Sequence, residues 1–109
     1  MSERAEPCYS CELFVPREIL FDLCTGAEHL ALWFTDEAPT ILEAVAPSRV
    51  VYRLGTVNAR DAILTLEAMG STTHISVREP GLPEGAAQDQ ATLAWQQRFA
   101  ALENYLSSI

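Results

Sequence analysis

Apolar and polar positions follow two periods along this chain, and the change from one to the other outlines its elements. From Ala86 to Ser107, Trp95, Phe99, Leu102 and Leu106 recur at i, i+4, i+7 and i+11. At ~100° per residue those four side chains fall within about 60° of arc. Gln96, Gln97, Glu103, Asn104 and Ser107 lie to the side or behind. The spacing predicts one long helix with a single apolar stripe, which needs a partner surface.

Period two governs most of what precedes it. In residues 6 to 15, Tyr9, Cys11, Leu13 and Val15 alternate with Cys8, Ser10, Glu12 and Phe14, the mark of a first strand. Pro16 ends the strand and is well placed as the first residue of a helix over about 16 to 24, carrying Ile19, Leu20 and Leu23. Thr25-Gly-Ala-Glu28 has the form of a capping box that starts a second short helix, edged by Leu30, Trp33 and Phe34 and broken at Pro39. Four strands follow as two hairpins: 41 to 46 with 49 to 55 across Pro47-Ser48, and 62 to 69 with 73 to 79 across Gly70-Ser71. The loop from Pro80 to Gly85 leads into the long helix, and the surface its stripe is expected to close on is the sheet.

This order of elements resembles the helix-grip fold of the START-related superfamily, also called SRPBCC. Within it, the likeness is greatest to the branch related to the activator of the heat-shock-protein-90 ATPase. The residues that carry it are Val15-Pro-Arg-Glu-Ile-Leu-Phe-Asp-Leu23, His29-Leu-Ala-Leu-Trp-Phe34 and Ile41-Leu-Glu-Ala-Val-Ala-Pro-Ser-Arg-Val-Val-Tyr52, then Leu64-Thr-Leu-Glu67, Thr72-Thr-His-Ile-Ser-Val77 with Pro80-Gly-Leu82, and the Trp95 to Leu106 helix. The resemblance implies an α+β chain that is one START-like domain over residues 1–109. Members usually run through about two more strands between the second helix and the strand at Ile41, whereas six residues separate Phe34 from Ile41 here. A curved antiparallel sheet of about five strands is expected, with one wall of any ligand cavity opened or its space reduced.

Charge narrows the choice of partners. Fifteen acidic residues stand against seven arginines and no lysine, a net charge of −8, and the arginines are scattered from Arg4 to Arg98. Phosphate backbones and anionic membranes need basic side chains gathered on one face, so no nucleic acid and no membrane partner is expected. No apolar run approaches the ~18 residues of a membrane span, and the acidic start around Glu3 and Glu6 does not have the form of an export signal. A cytoplasmic location is the expectation.

Candidate chemistry is sparse. Cys8 and Cys11 have C-x-x-C spacing without a second ligand pair, and positions three apart on a strand point to opposite faces, so the three cysteines read as reduced thiols and no metal or cofactor is expected. His29, His74, Glu43 and Glu67 read as surface or hydrogen-bonded positions, and no convergent acid, base and nucleophile argues for an enzyme. By the resemblance, a ligand would lie between sheet and helix against Trp33, Phe34, Tyr52, Leu64, Leu66, Ile75, Val77, Trp95, Phe99 and Leu102. The same side chains serve equally for a filled core. A buried Tyr52 hydroxyl would need a partner, which a ligand or water could supply.

Two functions follow as expectations. One is a non-enzymatic module that binds a small apolar molecule under the helix. The other is a protein-interaction or co-chaperone-like module acting as a homodimer without such a ligand, because a shortened sheet leaves residues 40 to 46 at an edge guarded only by Glu43.

Overall fold

The computed structural model describes residues 9–35, 39–55, 60–80 and 85–108. Strand β1 (Tyr9–Leu13) is followed by helices α1 (Arg17–Thr25) and α2 (Ala27–Trp33). Four strands come next, β2 (Thr40–Val45), β3 (Arg49–Leu54), β4 (Arg60–Met69) and β5 (Thr72–Arg78), and helix α3 (Ala86–Ser107) closes the chain. The sheet has the order β1-β5-β4-β3-β2, every neighbouring pair antiparallel. It is the α+β helix-grip architecture, a curved five-stranded sheet packed on a long C-terminal helix.

Alternation sets the inward face. Register places Leu64 between Val50 and Val77, Leu66 against Ile75, and Tyr52 against Ala62, and these side chains are buried with Trp95, Phe99 and Leu102 of α3. Burying a side chain of this size contributes roughly 1.5–3 kcal/mol, so the shared face of sheet and α3 dominates the stability. The turn between β4 and β5 has two residues, and its first, Gly70, has φ +76°. That left-handed conformation suits a hairpin whose first turn residue is glycine.

The junction of α1 and α2 differs from the expected capping box. Thr25 is still helical, and its hydroxyl donates back to the carbonyl of Phe21 at 2.9 Å. A helical threonine reaches the carbonyl four residues earlier rather than the amides ahead of it. Gly26 begins α2 without a side-chain cap, its carbonyl accepting from His29 and Leu30. The second helix does start where the sequence places it, by other contacts.

Carbonyls at the end of α1 run out of helical donors, and three of them are satisfied by the capping amide or by aromatic side chains. Asp22 accepts from the Gly26 amide, Leu23 from Trp33 Nε1 at 2.9 Å, and Cys24 from the Tyr52 hydroxyl at 2.5 Å. Two aromatic side chains thus tie α1 to α2 and to β3.

Strand β2 departs from strict alternation. Ile41 faces Tyr52, but the register slips across Leu42, so Glu43 faces Val51, Ala44 faces Val50 and Val45 faces Arg49. A bulge of this kind adds one residue to one strand. Val45 therefore shares the outward face with Arg49, whereas strict alternation would put it beside Ile41. Both β1 and β2 are sheet edges, where the sequence pointed only to the latter.

Candidate site between the sheet and the C-terminal helix

Three regions of chain converge under α3. Trp33 and Phe34 arrive from the end of α2, Tyr52 from β3, and Trp95 and Phe99 from α3. Phe34 is at the centre, with its ring centroid 5.4 Å from Trp33, 5.6 Å from Tyr52 and 5.4 Å from Trp95, the last two edge to face. Trp95 and Phe99 are 5.6 Å apart along the helix. Such tilted and T-shaped pairs favour the ring quadrupoles beyond area burial alone. All ten residues that the sequence proposes as ligand-lining belong to one buried cluster, none more than 2% exposed.

Tyr52 finds its partner within the chain, in the carbonyl of Cys24. Burial raises the phenol pKa well above its ordinary 10.0, and the neighbouring Cys24 adds to the shift. Burial likewise pushes the Cys24 thiol up to about 12, so it is a neutral thiol at ordinary pH. Cys11 is pushed up to about 11 by partial burial and by the charge of Glu103.

One end of the cluster is charged. Glu79, just beyond β5, is buried; its Oε2 accepts from Trp95 Nε1 at 2.6 Å and its Oε1 from Arg60 Nε at 3.0 Å. Arg98 is 4% exposed, and its Cζ lies 4.5 Å from the Phe34 ring centroid and 4.6 Å from that of Trp95. Buried charges persist when they are paired or stacked, and here both meet the same indole. A half-open depression of about 110 Å³ lies beside them, lined by Trp33, Thr35, Ala94, Gln97, Arg98 and Ala101.

No family model matches the chain, and no curated protein matches its sequence. Solved structures do match. Protein MLL2253 from Mesorhizobium loti superposes with a TM-score of 0.77 at 17% identity, over 92% of this chain and 96% of that one. CalU16 from Micromonospora echinospora gives 0.75 at 14% identity, over 89% and 71%. The chain has the helix-grip fold. The Aha1 dimer from Colwellia psychrerythraea shares the helix-grip arrangement at a TM-score of 0.73 and 9% identity, over 88% of this chain and 91% of that one.

Two charged residues of this interior are not singled out by the sequence pattern. Glu79 continues the inward series Thr73, Ile75 and Val77, all buried, and Arg98 follows Trp95 by three and precedes Leu102 by four. Each stands at a core position by spacing, and its charge disguised it. His29 is hydrogen-bonded through Nδ1 to the Tyr105 hydroxyl at 2.9 Å, joining α2 to the end of α3. Cys11 and Cys24 are free thiols, and Cys8 lies outside the described residues. Among the described residues no cluster suited to a metal ion occurs, and no helix is long and apolar enough to cross a membrane.

Proposed function

We propose that this chain is a non-enzymatic binding module that takes a small apolar molecule between α3 and the sheet. The observation carrying this reading is the gathering of Trp33, Phe34, Tyr52, Trp95 and Phe99 from separate elements into one apolar cluster, with Glu79 and Arg98 at its end. Ligand sites combine an apolar lining with a few placed polar groups. Because those side chains are packed against one another, a ligand enters only as α3 or the Phe34 segment moves outward. Cys24, a thiol within the buried cluster, is fully buried with a raised pKa, which supports binding over catalysis.

Native mass spectrometry of the purified chain tests the proposal, together with tryptophan emission during titration with a long-chain fatty acid and a fused-ring aromatic probe. A stoichiometric copurifying molecule, or a saturable emission change carried by Trp33 and Trp95, is the expected result. An apo mass with emission and melting temperature unmoved by either probe would overturn it.

A second reading, self-association as a homodimer, is favoured by β2. Five of its six residues are exposed and it forms an open edge of the sheet. A similar fold is described as a dimer in the Colwellia psychrerythraea protein. Sedimentation across a concentration series checks this reading: a coefficient rising toward the dimer value is expected, and one that stays monomeric at high micromolar concentration excludes it.

A further inference from the structure

Resting on the homodimer reading, we infer that two copies join β2 to β2 in antiparallel register with Ala44 on the twofold axis, doubling the five-stranded sheet into one continuous sheet. A closed dimer needs the same patch on both copies. Of the two edges, β1 is held on its inner face by α3, with Tyr9 5.7 Å from Phe99, while β2 is exposed along nearly its whole length. The strand is apolar at Ile41, Leu42, Ala44 and Val45 and carries one charge, Glu43. An edge of that composition is a template for a further strand.

The bulge and the single charge select the register. Ile41 and Ala44 face inward, whereas Thr40, Glu43 and Val45 face outward, as their partners on β3 show. Paired residues must share a face of the continued sheet. With Glu43 on the axis, two carboxylates would stand opposite each other, and Ile41 would be set against Val45 of the second copy on the wrong face. Like charges directly opposite destabilise a strand pair. Moving the axis one residue to Ala44 removes both conflicts. Ala44 then meets Ala44, and Glu43 lies opposite Val45 of the second copy. Arg49 is the β3 neighbour of Val45, so each Glu43 falls in the outward row of an Arg49 from the other chain. Within one chain Arg49 already approaches Glu43 to 3.7 Å, and the dimer extends that pairing across the axis. A strand pair of this length buries less than a standard interface, so the dimer is expected to be weak.

Disulfide trapping in the full chain separates the register from the dimer itself. Cysteine is placed at position 44 or 43 (Ala44→Cys, Glu43→Cys) with Cys8 and Cys11 replaced by serine, and each variant is mildly oxidised at a concentration where sedimentation shows dimer. Directly opposed residues stand within the Cα separation a disulfide accepts. Ala44→Cys should cross-link roughly tenfold faster than Glu43→Cys, with peptide mass spectrometry showing a 44-to-44 linkage. Circular dichroism verifies that both variants are folded. A dimer in which Glu43→Cys links as fast, or in which neither variant links, overturns this register and leaves the homodimer standing. A wild-type chain that is monomeric throughout overturns both.

Discussion

Tyr52 closes the end of α1 with its hydroxyl, and that one atom joins β3 to α1. Tyr52→Phe keeps the ring and leaves the Cys24 carbonyl buried without its donor. An unsatisfied buried group costs about 1–3 kcal/mol, and urea denaturation should show a loss in that range. A loss of a few tenths would mean that the carbonyl is satisfied some other way. The same spot dictates a pH response. Cys24 has a pKa of about 12 in the fold against an ordinary 9.0, so the unfolded chain releases the proton first. Stability linked to this thiol is complete below pH 9 and is lost as pH rises toward 12, the unfolded state binding fewer protons in that window. Cys11 and Tyr52, both raised, add to the fall. Unfolding free energy measured at pH 8 and pH 10.5 should drop, less steeply in Cys24→Ala.

At the level of elements, α3 acts through one stripe. Trp95→Ala and Phe99→Ala should each cost ~3–5 kcal/mol, since both side chains are buried against Phe34 or Trp33 as well as the sheet. Trp95→Phe isolates a second contribution: it keeps an aromatic ring but deprives Glu79 of the indole donor. Its cost should fall below that of the alanine variant and above that of an ordinary surface change, which lies within about 0.5 kcal/mol. Chemical denaturation of the three variants checks the order. Gly70 sets the β4–β5 hairpin from a positive φ, so Gly70→Ala should cost about 1–2 kcal/mol, although a Cβ there meets no atom within 4 Å.

For the whole molecule, net charge opposes the proposed association. Each chain carries −8, and two copies brought together repel until salt screens them. The screening length shortens from about 30 Å at 0.01 M to about 3 Å at 1 M ionic strength. Self-association should therefore tighten between 20 and 500 mM sodium chloride, as an approximate range of test conditions. Sedimentation at fixed protein concentration measures it. Weakening with salt would instead mean that the Glu43–Arg49 pairing across the axis outweighs the repulsion of the two net charges.

Local pattern was enough for the order of elements, the long C-terminal helix and the five strands, because burial on one face imposes period two on a strand and 3.6 on a helix. It also placed the ten cluster residues inside, since apolar side chains at those periods have one face to share. Three matters were decided only by tertiary structure. The bulge at Leu42 turned Val45 outward, because a register slip depends on the partner strand. Thr25 turned back to Phe21 because α1 extended through it. Glu79 and Arg98 were buried because Trp95 offered each a partner, the first through its N–H and the second through its ring face. A charge at a core position is stable only in the company that the folded chain brings to it, and that company comes from elements far apart in sequence.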